Sequence, residues 1–106
     1  MLHYQIKKDA VVVQLSGELD HSAASKIRGE LDALIAGKGI RRLVLDLNGL
    51  SFMDSSGIGL IIGRYKRLSR RGGSVAVADP DRRIDRLFQM SGVYQVVEKL
   101  CAEGRA

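Results

Sequence analysis

Apolar residues alternate along VVVQLSG, residues 11–17, so that Val11, Val13 and Leu15 share one face, and YQIKK precedes this run across Lys8-Asp9. Period-two alternation marks a half-buried strand, and the two runs predict a short antiparallel pair. Gly17, in GELDHSAAS, is expected to break the second strand. Asp20 or Ser22 then caps a helix, because a short side-chain oxygen accepts from an orphan N–H of the first turn. Ala24, Ile27, Leu31, Leu34 and Ile35 recur at helical spacing, and Gly37 is the expected stop.

RRLVLDLNG reads as a central strand covered on both faces, since its apolar run is nearly continuous. Ile58, Ile61, Ile62, Tyr65 and Leu68 then form a helical stripe, with Lys66, Arg67, Arg70 and Arg71 away from it and Gly72-Gly73 at its end. SVAVA follows as another strand. A strand, a helix and a strand make a right-handed crossover, so these two strands should be parallel. Asp79-Pro80 suggests an N-cap with proline at the first helical position. Ile84, Leu87 and Phe88 supply that helix's buried stripe, Gly92 closes it, and YQVVEKL reads as a last strand. The fold class is α/β: one domain over residues 1–106, with a mixed sheet of about four to five strands packed with three or more helices.

Composition narrows the class. Of 106 residues, 45% are apolar and 27% charged, as in an ordinary globular chain. The net charge of +5 is regional: residues 64–86 hold eight basic residues against three acidic, while the rest carries nine of each. Such a cluster is either a solvated helix face or a surface for an acidic partner. No nucleic-acid motif accompanies it, so direct nucleic-acid contact is not expected. Cys101 stands alone, which favours a reducing compartment. MLHYQIKKDA lacks an apolar leader core, and no run approaches the roughly 20 residues of a membrane span. The expected location is the cytoplasm, without membrane contact.

The chemistry concentrates in SFMDSSGIGL, residues 51–60, directly after the central strand. The carboxyl end of a strand is a common place for function in α/β folds. Asp54 or Ser55 serves as an N-cap, and Gly57 as a tight-turn residue. One cap needs one side chain, however, and here three candidates stand together. Gly57, Gly59 and Gly63 each cost about 1 kcal/mol relative to alanine in a helix. Small residues there let another backbone approach, whether a partner's or the protein's own sheet. A serine hydrolase would need His3 or His21 as base, and the G-x-S-x-G elbow is absent. A dinucleotide fingerprint on Gly57-Ile58-Gly59 is not completed, because Ile62 stands where the third glycine belongs. Two distant histidines and one cysteine give no metal-ligand spacing. No cofactor is expected.

FMDSSGIG followed by IIGRYK, with GELDH upstream and RLFQMSG downstream, resembles the STAS-domain anti-sigma-factor antagonists, and most closely the sporulation type of the sigma-F pathway. The likeness covers roughly residues 4–97. It implies a regulatory binding module, not an enzyme. The unphosphorylated form binds an anti-sigma factor that is also a serine kinase and so frees the sigma factor. Phosphorylation of the second serine of DSSG abolishes binding, and a serine phosphatase restores it. The resemblance makes Ser56 the phosphoacceptor and places Asp20, His21, Asp54, Ser55, Ser56, Gly57 and Ile58 on the partner surface. The choice of Ser56 over Ser55 comes from the family pattern alone, since both hydroxyls lie near one helix end. A STAS module of another sigma or stress-signalling pathway is the alternative. The family carries a further C-terminal helix, for which CAEGRA is short.

Overall fold

Lys8 adopts a left-handed φ of 59° and, with Asp9, turns β1 (Leu2–Lys7) back onto β2 (Ala10–Leu19). The computed structural model describes residues 2–100; Cys101 and the rest of CAEGRA lie outside the described residues, and with them the question of a C-terminal helix. The remaining elements are α1 (His21–Ile35), β3 (Arg42–Met53), α2 (Ser55–Ser69), β4 (Ser74–Ala78), α3 (Arg82–Ser91), a 3-10 turn (Val93–Gln95) and β5 (Glu98–Leu100). The strands lie side by side in chain order. β1 pairs antiparallel with β2, and every later pair is parallel. Tyr4, Val13, Leu45, Val77 and Lys99 thus form one row across the sheet.

One face of the sheet carries the core. Val11, Val13 and Leu15 of β2, Leu43, Leu45 and Leu47 of β3, and Val75 and Val77 of β4 join Ile27, Leu31, Ile61, Leu68, Ile84 and Phe88 of the three helices in a single apolar cluster. Val44 and Asp46 point the other way and are only half-buried. The central strand is therefore covered by helices on one face, not on both as its apolar run suggested. On the open face Arg42 pairs with Glu98 at 2.9 Å and donates to Ser74 at 3.1 Å, tying β3, β4 and β5 together.

Four local expectations shift. Gly17, with φ of 88°, does not end β2 but carries it through two register irregularities against β3, so the strand runs on to Leu19. α1 stops before Gly37, yet the left-handed residue of that connection is Gly39. α3 is capped by Asp81, which accepts from Ile84 N at 2.9 Å, so Pro80 precedes the helix instead of opening it. YQVVEKL divides between the 3-10 turn and β5. Gly92 closes α3 in the left-handed conformation, as expected.

α2 keeps Ile61 and Leu68 of its expected stripe inward but is rotated toward α1. Gly57, Leu60, Ile61, Arg64 and Leu68 are its buried residues, while Ile58, Ile62 and Tyr65 are half-buried. The helix packs against α1 as well as the sheet, which rotates Leu60 and Arg64 into the seam. Arg64 accordingly leaves the solvated basic patch and pairs with Asp32 of α1 at 3.1 Å. Arg71 donates to the carbonyls of Ile35, at the end of α1, and Ile40, in the connection to β3, at 2.6 and 3.0 Å.

A polar knot fastens the far edge. Asp85 of α3 accepts from Lys99 Nζ at 2.8 Å, from Gln89 at 2.9 Å and from the Tyr94 hydroxyl. The Lys99 and Tyr94 bonds hold the Asp85 carboxyl below its ordinary value, against an opposing push from burial. A depressed carboxylate contributes stability that is present above its unfolded value, 3.8, and is lost as pH falls through the lower folded value. Asp85→Asn is expected to cost about 1–2 kcal/mol at pH 7. Urea titrations from pH 7 to pH 2 should show this difference shrinking only below about pH 4.

Candidate functional site

Leu19 and Met53 are register partners at the ends of β2 and β3. The residues that follow them, Asp20 and Asp54, cap α1 and α2, so the two helices leave the sheet side by side with adjacent N-termini. Asp20 accepts from Ala23 N at 2.9 Å and Asp54 from Ser56 N at 2.8 Å. These contacts settle both open caps: Asp20 over Ser22, and Asp54 over Ser55.

His21 and Ser56 meet across the gap, with 3.4 Å between Nδ1 and Oγ. His21 and Ser55 are exposed, and Ser56 and Ile58 are half-buried. Gly57 differs from its neighbours. It is buried, and a Cβ there would lie 2.4 Å from Met53 Cγ and 3.2 Å from Leu19 Cδ2. Its lack of a side chain lets α2 sit close on the ends of β2 and β3.

Below this point α1 and α2 bound a groove of about 390 Å³, walled by His21, Ser25, Arg28, Ser56, Gly59 and Arg64. Sequence reasoning missed Ser25, Arg28 and Arg64. The signal for the two α1 residues was present, because His21, Ser25, Arg28 and Asp32 recur at helical spacing and form a polar stripe beside the apolar one. Burial is the first influence on Arg64 and lowers its pKa from the ordinary guanidinium value; Asp32 pulls it up, and Arg67 and Arg28 push it down.

The His21–Ser56 pair has the members of a nucleophilic dyad but not its geometry. The separation is long for a hydroxyl hydrogen bond, and it is the imidazole's one hydrogen bond among the described residues, so no carboxylate orients the ring. The site therefore offers a partly accessible serine hydroxyl at a helix N-terminus, flanked by acids that are occupied as caps.

Comparison with known proteins fits this arrangement. Residues 2–103 match the STAS domain. The chain belongs to the STAS domain family. The anti-sigma F factor antagonist of Paenibacillus polymyxa is 41% identical over 90 residues, spanning 85% of this chain and 77% of the relative. The anti-sigma factor antagonist SpoIIAA in its unphosphorylated form superposes with a TM-score of 0.79 at 28% identity, over 99% of this chain and 92% of that one. The Bacillus cell fate determinant SpoIIAA in its phosphorylated form gives 0.76 at 30% identity, over 99% and 96%. The STAS fold of this chain thus resembles SpoIIAA in both phosphorylation states. No helix among the described residues is long and apolar enough to cross a membrane.

Proposed function

We propose that this STAS domain is an anti-sigma factor antagonist, of the sigma-F sporulation type, switched by phosphorylation of Ser56. The unphosphorylated form binds an anti-sigma factor with serine kinase activity, and the sigma factor is released in the cytoplasm. The kinase moves the γ-phosphoryl of ATP to Ser56 Oγ, with ADP leaving and the hydroxyl proton passing to the kinase. Binding is then lost until a serine phosphatase removes the group. Nucleic acid and membrane take no part, and the domain receives this chemistry without performing any.

The observation that carries this reading is the place of Ser56, half-buried in the first turn of α2 and on the rim of an open groove, in a chain 41% identical to an anti-sigma F factor antagonist. Asp20, His21, Asp54, Ser55 and Ile58 surround it as the partner surface, with Gly57 packed beneath. Incubation with the anti-sigma kinase and ATP, followed by peptide mass spectrometry, should find one added phosphate on Ser56. A phosphate confined to Ser55 would overturn the assignment. Asp20→Ala should weaken the complex while costing the fold no more than a lost helix cap, about 0.5–2 kcal/mol. Calorimetric titration and thermal melts on one preparation separate the two effects.

A further inference from the structure

Arg64 carries a charge that the serine switch does not use. It is the buried charged residue among those described, with 8% of its side chain exposed, and it forms part of the groove wall between α1 and α2. Its Nε lies 3.1 Å from Oδ1 of Asp32 without the alignment of a hydrogen bond, and its buried Nη1 has no acceptor among the described residues. Arg67 approaches the same carboxylate oxygen at 3.7 Å. Arg28, from the α1 wall, adds a third guanidinium whose charge acts on Arg64. Two guanidiniums thus share one carboxylate, and a third acts on Arg64 nearby. Buried donors of this kind are ordinarily paired, and a guanidinium presents a planar fork suited to an oxyanion.

The room for such an anion is built into the sequence. Gly59 and Gly63 stand one turn apart on the groove wall, and a Cβ at either would meet no heavy atom within 4 Å. Arg64 reaches across the groove to Asp32 of α1, and Arg28 lines the same groove from the other wall. Ser25 and His21 bring further hydrogen-bonding groups.

We propose that the α1–α2 groove is an oxyanion site for a phosphate group, held by Arg28 and Arg64 with Ser25 and His21 above them. Two sources present that chemistry: a free phosphate monoester, and the phosphoryl group carried by Ser56 itself. In the second case the proposal deepens the switch, because the added group folds into its own protein and is held there. The site itself rests on the groove's side chains, and its first test needs no kinase.

The test follows the arginine Nε–H signals of the whole chain by NMR during titration with inorganic phosphate, and again after phosphorylation of Ser56. Saturable shifts at Arg28, Arg64 and the amides of Gly59 and Gly63 are expected. Arg28→Ala should weaken phosphate binding by roughly tenfold or more, since it removes a charged hydrogen bond. Gly59→Leu, at an exposed position with open space, should fill the groove and abolish the shifts with the fold intact. If the phosphorylated protein shows the same shifts without added phosphate and no longer titrates, the covalent group is the occupant. If it still titrates, the occupant is a free anion. Unsaturable drift in both arms, equal in Arg28→Ala, would reduce Arg64 to an ion pair between two helices and overturn the proposal. Failure of Ser56 to accept phosphate would sink the switch yet leave the titration arm standing.

Discussion

Ser56→Asp is expected to weaken binding of the anti-sigma factor by more than a hundredfold while circular dichroism and melting temperature stay close to those of the parent. The loss follows from charge at the contact. A unit charge about 4 Å from a like charge, at an effective dielectric near 20, costs about 4 kcal/mol, and about 3 kcal/mol already exceeds a hundredfold. An apolar partner surface gives the same direction, because the carboxylate must shed its water. Folding is spared for a separate reason. Ser56 lies in the first turn of α2, which holds no acidic residue. An anion there meets the positive end of the helix dipole, a favourable effect of about 0.3–1 kcal/mol. Ser56→Ala, by contrast, should bind like the parent and take up no phosphate from kinase and ATP. Calorimetric affinities for the three proteins decide the matter, and parental affinity in Ser56→Asp would refute the charge mechanism.

The parts of this site that sequence could reveal are those encoded by local chemistry. The strand pair around Lys8-Asp9, the helix after Asp54, the parallel partner of β3 and the left-handed stop at Gly92 each depend on a few neighbouring residues. What stayed hidden depends on a neighbour distant in the chain. The periodicity of α2 pointed to Ile58, Ile61, Ile62, Tyr65 and Leu68, of which Ile61 and Leu68 are buried; the helix packs against α1 as well as the sheet, so Leu60 and Arg64 also go inward. A charged residue at that spacing reads as solvent-facing until Asp32 is known to lie across from it. The bulge that carries β2 past Gly17 is likewise a property of its pairing with β3, and it is what brings Leu19 level with Met53. The nearness of His21 to Ser56 could not be read from a separation of 35 residues. The identity of the serine came from resemblance, since spacing alone treats Ser55 and Ser56 alike.

Phe88→Ala is expected to cause the largest loss of stability, about 3–5 kcal/mol, because it empties the largest fully buried side chain of the described core. Its ring meets Tyr94 edge-on, with 5.6 Å between centroids and 86° between planes, and such a pair adds about 0.5–1.5 kcal/mol to the area buried. Tyr94 donates to Asp85, and Lys99 of β5 reaches the same carboxylate. Loss of the ring therefore loosens α3, the 3-10 turn and β5 as a unit. The switch stands on other supports. Asp20, His21, Asp54 and Ser56 sit on β2, β3 and the first turns of α1 and α2, whose core residues include Leu19, Met53, Leu60 and Ile61. A domain stable by about 5–15 kcal/mol survives the loss when cooled. Hydrogen exchange on Phe88→Ala should accelerate first in β5 and the end of α3, and last in β2 and β3. At low temperature the variant should still accept phosphate on Ser56 and bind its partner within about twofold of the parent, a difference below 0.5 kcal/mol. Uniform acceleration across the sheet would show that the far edge and the switch unfold together, and the separation of stability from regulation would fail.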